Sequence, residues 1–291
     1  SSGRRGDGHK SPTVFQARAV PTPCAKRTPV PNPKPRMGDK PPQFPILISV
    51  VIPVLNEEKL LPRLLAILTP EICVEKQMEV IISDGGSTDS TLAIAARHHG
   101  ILVPNCTGKR QTIAEGRNCG AEVATGKVIC FINGDTLPEY PTEFFSVIHQ
   151  WANGQGKHKK ASALACPVYI SPDERRWSDL LFHTFFNEYL RFLINVLKIG
   201  IGRGECQIVK RDVFEKVGGY NSLLVAGEDF DLFRRIALTD KVKFAKNLPV
   251  HESPRRFRRY GYFKILASWT INALSVIARG RSVNKEWEPV R

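Results

Sequence analysis

The stretch CFINGDT, residues 130–136, contains the first side chains that could bind a ligand. A short apolar run ends there in a turn that carries one carboxylate, Asp135, and the amide of Asn133 lies two residues earlier. Mg²⁺ commonly takes one or two protein carboxylates and fills its other positions with phosphate oxygens and water. The stretch therefore predicts either a metal site with a single acidic ligand or an ordinary turn after a strand.

A second acidic pair, Glu228 and Asp229, stands at the start of a predicted helix, GEDFDLFRRI. Carboxylates in a first helical turn also complement the helix dipole, so the position alone does not define a site. A carboxylate in a partly closed cleft can instead take the proton of an attacking hydroxyl group. We therefore interpret the pair as candidate general bases, with dipole complementarity as the alternative.

Two more polar clusters follow predicted strands. Asp84 precedes two glycines in SDGGSTDS, and glycine lets a backbone turn tightly and approach a ligand. A carboxylate at that place could accept hydrogen bonds from a nucleotide base or a ribose, or simply cap a helix. In PVLNEE, Asn56 is predicted to cap a helix, and Glu57 and Glu58 suit the helix N-terminus.

The basic segment SPRRFRRYGYF, residues 253–263, contains four arginines among aromatic residues. Arginine matches phosphate oxygens in a bidentate manner, so Arg255, Arg256 and Arg259, together with the adjacent Tyr260, are candidates to bind a phosphate or the acceptor. A solvated or membrane-facing basic surface is the alternative. We expect no nucleic-acid partner, because no nucleic-acid-binding signature occurs in the chain. His251 could be a further metal ligand or a structural histidine.

The elements that would position these residues alternate between strand and helix. Predicted strands are ILISVVIPVL, MEVIISD, ILVP and KVICFI, and the predicted helices between them are NEEKLLPRLLAIL, STDSTLAIAARHHG and RQTIAEGRNCGAEVATG. Ser87 or Thr88 is the expected cap of the second helix. This alternation predicts a parallel sheet with helices on both faces. Ligands of such sheets bind beyond the carboxyl ends of the strands, which is where the acidic clusters fall.

Charge divides the chain into three parts. Residues 1–44 contain nine Lys or Arg residues against two acidic ones, and residues 250–291 contain nine against three, whereas the middle is nearly neutral. The first segment is rich in proline and lacks apolar clusters, so we predict that it is disordered. Basic ends suit anionic partners such as phosphates or a membrane surface.

Cysteine usage and hydropathy limit the compartment. The seven cysteines include no C-x-x-C pair, and several lie in apolar runs, which favours a reducing compartment. No segment resembles a secretory signal. Two long apolar stretches, residues 180–201 and 260–278, are interrupted by polar residues, so we expect helices that lie in a membrane interface or pack on the core.

Five stretches together resemble the family 2 glycosyltransferases, which have a GT-A fold. In that family's order, from about Leu47 to Arg281, they are VVIPVLNEE, IISDGGSTDST, GRNCGAEVATGKVICFINGDT, ECQIVKRDVFEKVGGYNS and GEDFDLFRRI. Membrane-associated relatives carry Q-x-x-R-W where this chain has Arg256, Arg259 and Tyr260, so the glutamine and the tryptophan are replaced. The resemblance implies an α/β fold, Rossmann-like with a mostly parallel sheet, followed by C-terminal amphipathic helices.

The resemblance also implies roles for residues at the strand ends. It places the sugar nucleotide beside Pro53, Leu55, Glu57, Arg117 and Asn118. Asp84 would bind the nucleotide base, and Asn133 could bind ribose or water through its amide oxygen. Asp135 matches the aspartate that binds Mg²⁺ or Mn²⁺, and Asp229 matches the catalytic base.

The sequence thus predicts an inverting glycosyltransferase that uses a nucleoside-diphosphate sugar, with lipid-linked compounds among the candidate acceptors. The expected parts are a tail (1–44), a GT-A domain (45–254) and a basic amphipathic segment (255–291). We expect a cytoplasmic protein, peripheral on the cytoplasmic face of a membrane. A non-catalytic nucleotide-sugar-binding or scaffold protein is the alternative. A nucleotidyltransferase is disfavoured, because PVLNEE is acidic where that class usually has a Gly/Arg/Lys-rich phosphate loop.

Overall fold

Two sheets and their covering helices make up the described part of the chain. The structure, a computed structural model, describes residues 45–105 and 108–283, so the tail of residues 1–44 lies outside the described part. The strands are β1 (Ile48–Val54), β2 (Met78–Asp84), β3 (Ile101–Val103), β4 (Val128–Ile132), β5 (Leu137–Pro138), β6 (Ala163–Ala165), β7 (Val168–Ile170), β8 (Cys206–Lys210), β9 (Val242–Phe244) and β10 (Val250–Glu252).

The larger sheet has the strand order β3-β2-β1-β4-β8-β6-β9. The first four strands in this order are parallel, as predicted from the strand–helix alternation. β8 runs antiparallel to β4 and to β6, and β9 is parallel to β6. The sheet is therefore mostly parallel, and the carboxyl ends of β1, β2 and β4 meet at one edge.

Helices cover both faces of this sheet, as predicted. They are α1 (Leu61–Leu65), α2 (Pro70–Glu75), α3 (Thr91–Arg97), α4 (Ile113–Glu122), α5 (Pro141–Ala152), α6 (Trp177–Asn195), α7 (Arg211–Lys216), α8 (Glu228–Ala237), α9 (Arg255–Tyr260) and α10 (Tyr262–Arg279). Alternate residues of β1 point to opposite faces. Val50 belongs to the core cluster that includes residues of α1 and α5, and Val51 to the cluster with α4 and α8.

Two predicted helix caps are wrong. Asn56 has a left-handed φ of 53°, which an N-cap residue does not adopt, and α1 begins only at Leu61, one residue before Pro62. The Asn56 side chain instead accepts a hydrogen bond from the Thr88 backbone N–H at 2.8 Å, which joins two loops of the sheet edge. The second predicted helix, α3, begins at Thr91 after Ser90, so neither Ser87 nor Thr88 caps it.

The C-terminal part packs against the smaller sheet. This sheet has the order β5-β10-β7, with β10 antiparallel to β5 and parallel to β7. Phe257 of α9 and Ile265 of α10 form a small buried cluster with Ile170 of β7. Gly261, at a φ of 74°, separates the two helices. Among the helices described, none is both long and apolar enough to cross a membrane.

Candidate active site

A cavity of about 410 Å³ opens at the edge where β1, β2 and β4 end. Residues of three predicted clusters line it together: Pro53, Leu55, Glu57, Asn133, Asp135, Arg255 and Arg256. Pro53 lies in β1, and Leu55 and Glu57 follow it. Asn133 and Asp135 follow β4, and the arginines come from α9. The parallel order of the strands is what brings segments so distant in sequence to one wall.

An arginine bridges two carboxylates of this wall. The Nη2 atom of Arg255 donates to Glu57 Oε1 at 2.7 Å and to Asp135 Oδ2 at 2.8 Å. Burial alone would lower the pKa of Arg255, but the charges of Asp135 and Glu57 and the hydrogen bonds to them raise it. A bound phosphate would therefore meet a guanidinium that is charged at any accessible pH.

The donor set for a metal ion is sparse. Asn133 Oδ1 accepts a hydrogen bond from Arg117 Nη2 at 3.1 Å, and His251 Nε2 lies 3.6 Å from Glu139 Oε2. Burial lowers the pKa of His251. Within residues 45–105 and 108–283, no three His, Cys, Asp or Glu side chains are arranged to hold a metal ion. The oxygen donors fit a hard cation that is coordinated by Asp135 and by phosphate oxygens of a ligand. A ligand role for His251 stays a prediction.

Arg117 connects this wall to the start of α8. Thr112 and Glu115 form a capping box that fixes the beginning of α4, and Arg117 lies in the next turn. Its side chain is only 1% exposed, and its Nη1 donates to Glu228 Oε1 at 2.8 Å. Nη2 donates to the carbonyl oxygen of Gly204 at 2.5 Å as well as to Asn133. The predicted nucleotide-binding arginine is therefore a buried link between the two acidic clusters.

Asp229 lies in the first turn of α8, close to Gly204, and is not part of the cavity lining. Its Oδ1 accepts a hydrogen bond from the backbone N–H of Phe230 at 2.8 Å, and a Cβ atom added to Gly204 would be 3.1 Å from Oδ2. Burial and, next, the charge of Glu228 raise the pKa of Asp229 from 3.8 to about 7, although Arg117 opposes this. A carboxylate with such a pKa suits a general base near neutral pH.

The sequence analysis missed a buried cluster around Arg203. Its side chain contacts Glu252 and donates to Glu205 at 3.2 Å, and Nη1 lies 3.2 Å from His183 Nδ1. Glu205 and Glu252 both line the cavity. Burial, followed by the charge of Glu205, raises the pKa of Glu252 well above its usual range. The available signal was the position of both glutamates at strand ends, before β8 and at the end of β10.

Two predicted nucleotide-binding residues are engaged with the backbone. The buried carboxylate of Asp84 accepts hydrogen bonds from the N–H groups of Gly86 and Ser87 at 3.0 and 3.2 Å. Asn118 donates to the carbonyl oxygen of Tyr220 at 2.8 Å and accepts from its N–H at 2.9 Å. Neither is part of the cavity lining, although the neighbours of Asp84 are, and their roles towards a nucleotide stay predictions.

The four arginines of α9 have different surroundings. Arg255 and Arg256 line the cavity, whereas Arg258 donates to Asp179 Oδ1 of α6 at 2.7 Å. The guanidinium of Arg259 lies 5.3 Å from the ring centre of Tyr260. The structure thus brings two of the four predicted phosphate or acceptor residues to the site and leaves Arg259 and Tyr260 outside its lining.

A mostly parallel sheet with a polar cavity at its strand ends is typical of an α/β protein that binds its ligand at the carboxyl ends of the strands. The chain belongs to glycosyl transferase family 2, since the model of that family matches residues 49–218. Together with the helices on both faces, this confirms the predicted family and fold.

Curated relatives and solved structures agree with this assignment. A PGL/p-HBAD biosynthesis glycosyltransferase of Mycobacterium bovis is 28% identical over 184 residues, which are 60% of this chain and 63% of that protein. The chain thus spans less than two thirds of the relative's length. A Validoxylamine A glucosyltransferase of Streptomyces hygroscopicus subsp. limoneus is 32% identical over 99 residues, covering 32% of this chain and 22% of that protein.

Similar solved structures share the fold. The mannosyltransferase PcManGT from Pyrobaculum calidifontis, in complex with GDP-Man and Mn²⁺, has a TM-score of 0.58 at 18% identity, covering 85% of this chain and 68% of that one. Glucosyl-3-phosphoglycerate synthase from Mycobacterium tuberculosis, in complex with Mn²⁺, UDP and phosphoglyceric acid, has a TM-score of 0.51 at 18% identity, covering 80% and 77%.

Proposed function

We propose that this protein is an inverting glycosyltransferase that moves a sugar from a nucleoside-diphosphate sugar to an acceptor hydroxyl. The observation that carries the proposal is the cavity at the strand ends, which is lined by Glu57, Asp135, Arg255 and Arg256. Asp229 lies close to Gly204, the neighbour of the lining residue Glu205. Membership of glycosyl transferase family 2 supports it, as do similar structures that hold a nucleotide or nucleotide sugar with Mn²⁺.

The chain's own residues would divide the work of one displacement. Asp229 would take the proton of the acceptor hydroxyl while that oxygen forms a bond to the anomeric carbon. The bond from this carbon to the phosphate oxygen breaks, and its electron pair stays on the diphosphate. Arg255 and Arg256 would stabilise the negative charge that develops there. Attack from the side opposite the leaving group inverts the anomeric configuration.

A divalent cation, Mg²⁺ or Mn²⁺, would supply further neutralisation of the leaving diphosphate when bound. Asp135 would hold it as the charged ligand, and Asn133 could bind ribose or a water molecule nearby. Asp84 would orient the nucleotide base at the end of β2, beside Pro53 and Leu55. The acidic side chains Glu205 and Glu252 line the same cavity and are suited to hydrogen bonds from sugar hydroxyls.

We further propose that the protein acts at the cytoplasmic face of a membrane, on a lipid-linked acceptor. The support comes from α6, whose buried face includes Asp179, His183 and Asn187 and whose exposed face is apolar. The α6 stripe, exposed by 48% to 80% at each position, consists of Trp177, Leu181, Phe185, Tyr189 and Phe192, together with Val196 directly after the helix. An apolar face turned to solvent at helical spacing is typical of a helix that lies in a membrane interface.

α10 has the same character and contacts α6. Its exposed apolar residues include Phe263 at 91% and Leu274 at 61%, and the rings of Phe182 and Tyr262 lie 4.4 Å apart between the two helices. Exposed basic residues accompany the apolar ones: Arg191, Lys198, Lys264, Arg279 and Arg281. Anionic lipid would complement these charges.

Sugar transfer across a panel of UDP- and GDP-sugars tests the proposal. The assay contains Mn²⁺ and either soluble sugar acceptors or lipids that carry a free sugar hydroxyl, and NMR of the product gives the anomeric configuration. We expect inverted product from the parent and at least ~10²-fold slower turnover from Asp229→Asn with nearly unchanged nucleotide affinity. Tight nucleotide-sugar binding without transfer, in any acceptor mixture, would favour the non-catalytic alternative, and retained configuration would exclude the single displacement.

A further inference from the structure

One nitrogen of Arg255 joins two carboxylates that come from different strand ends. Its Nη2 lies 2.7 Å from Glu57 Oε1 and 2.8 Å from Asp135 Oδ2. The side chain of Arg255 is 21% exposed, that of Glu57 8% and that of Asp135 20%. Hydrogen bonds between charged groups at such distances are strong, and partial burial reduces their screening by solvent. The guanidinium of Arg255 thus provides the site with a positive charge.

The side chain reaches this position from a helix that is held on its other side. Phe257 packs its ring 5.0 Å from that of Tyr262, and Arg258 donates to Asp179 at 2.7 Å. These contacts hold α9 against α6 and α10, and they are made by side chains that do not line the cavity. A change of partner for Arg255 can therefore be made by its side-chain torsions, without movement of the helix.

The carboxylate that Arg255 occupies is the one that a divalent cation would need. Arg255 contacts Oδ2 of Asp135, and a divalent cation on either carboxylate oxygen would lie close to the guanidinium. The two positive groups repel each other, so they compete for Asp135. A diphosphate in the same cavity offers Arg255 other anionic oxygens, in the geometry that guanidinium groups bind well. Entry of the diphosphate would therefore free Asp135.

We propose that Arg255 is an internal counter-ion, which holds Asp135 in the donor-free protein and releases it to a divalent cation when a diphosphate accepts the guanidinium. The proposal rests on the proposed function, since it takes a nucleoside diphosphate as the ligand. It makes metal binding and nucleotide binding depend on each other, by the same factor in both directions. The protein would then bind metal weakly until the donor arrives.

Titration of Mn²⁺ without nucleotide tests this directly, with free Mn²⁺ measured by electron paramagnetic resonance. Arg255→Gln removes the internal cation, so we expect Mn²⁺ to bind at least ~10-fold more tightly than in the parent, about 1.4 kcal/mol. Arg256→Gln removes the same charge from the same cavity and is the matched control, with a change of at most ~3-fold. The gain should disappear when Asp135→Asn is added to Arg255→Gln.

Several outcomes would overturn the inference. Equal Mn²⁺ affinity in the parent and in Arg255→Gln would do so, and so would an equal gain in Arg256→Gln or a gain that survives Asp135→Asn. If circular dichroism shows that Arg255→Gln does not fold, Arg255→Met replaces it, because it also removes the positive charge and keeps an unbranched apolar side chain. We expect tightening of at least ~10-fold there as well, and affinity equal to the parent would again refute the proposal.

The sugar-transfer panel separates this inference from the proposed function. If the parent transfers sugar but its Mn²⁺ affinity does not change when Arg255 is replaced, the counter-ion role of Arg255 is refuted and the proposed function is not. Absence of transfer and of UDP or GDP binding would refute the proposed function, and the counter-ion would then lack the diphosphate that it requires.

Discussion

Replacement of Asp229 by asparagine is expected to stabilise the fold at the expense of the reaction. Burial and the neighbouring Glu228 raise the pKa of Asp229 from 3.8 to about 7, so the ionised carboxylate is disfavoured in the folded protein. One pKa unit corresponds to about 1.4 kcal/mol, which limits the effect to about 4 kcal/mol well above neutral pH. Because the site is partly exposed and asparagine changes the hydrogen bonding, we expect a net gain of about 1–3 kcal/mol.

The sign of this effect depends on pH. At low pH, Asp229 is protonated in the folded and unfolded chain alike, so its charge contributes nothing. Between its unfolded pKa of 3.8 and its folded pKa of about 7, the unfolded chain releases the proton and the folded chain keeps it. The unfolded state then binds fewer protons, so the parent loses stability as the pH rises through this interval. The variant lacks this loss.

Urea unfolding of parent and variant at about pH 5 and about pH 8.5 measures the difference. Asp231→Asn is a matched control on the same helix, because Asp231 accepts a hydrogen bond from Arg235 Nε at 2.8 Å. Its replacement should lower the free energy of unfolding, opposite to Asp229→Asn. An Asp229→Asn variant that is less stable than the parent at both pH values, or a difference that does not grow with pH, would refute the raised pKa.

Calorimetry should show that Asp135→Ala removes the tightening of nucleoside-diphosphate binding by Mn²⁺, whereas Asn133→Asp increases it by adding a negative ligand; the same sign for both would contradict a metal at Asp135. Glu228→Gln leaves the buried Arg117 without its carboxylate, so urea unfolding should show a loss of about 3 kcal/mol, and an unchanged midpoint would contradict the buried pair. Phe185→Glu places a charge in the α6 stripe and should prevent flotation with anionic vesicles; unaltered flotation would count against membrane binding.

The parallel half of the sheet could be predicted because its signals are local. β1 is buried at every position, so it appears in the sequence as a continuous apolar run followed by a polar turn. β2 and β4 repeat that pattern, and parallel pairing then places their polar turns together. The smaller sheet could not be predicted in the same way, because β5, β7 and β10 contain only two or three residues each.

The errors at helix starts have a different origin. Asparagine is a common N-cap residue, but Asn56 forms its hydrogen bonds with the neighbouring loop. Its backbone N–H donates to Ser87 Oγ, and its side-chain oxygen accepts from the Thr88 N–H. A side chain that can satisfy either local or distant backbone groups does not reveal its choice in the sequence. The loop-to-loop contact also explains why α1 starts late, since the chain must first turn across the sheet edge.

Ion pairs between distant segments could not be predicted from the sequence. Arg255 was predicted to bind phosphate, but its contact with Glu57 joins residues 198 positions apart. Arg203 was assigned no role at all, although it lies between two carboxylates of the cavity wall. The sequence pattern identifies which charged side chains lie at strand ends. Which of these side chains form ion pairs depends on how α9 and the loop before β8 pack.

The buried guanidinium of Arg117 gives a physical reason for the asparagine at position 133. Arg117 already has a carboxylate partner in Glu228 at 2.8 Å, and it completes its bonding with neutral oxygens of Asn133 and Gly204. An aspartate at 133 would add a second negative charge to a buried pair that is already balanced, and would draw Arg117 away from Asp229, the proposed base, whose pKa Arg117 lowers. Asparagine satisfies the same N–H donor without this charge. Asparagine at 133 adds no charged ligand to the proposed metal site, but it preserves the electrostatic balance at the start of α8, so the two acidic clusters form one charged network through Arg117.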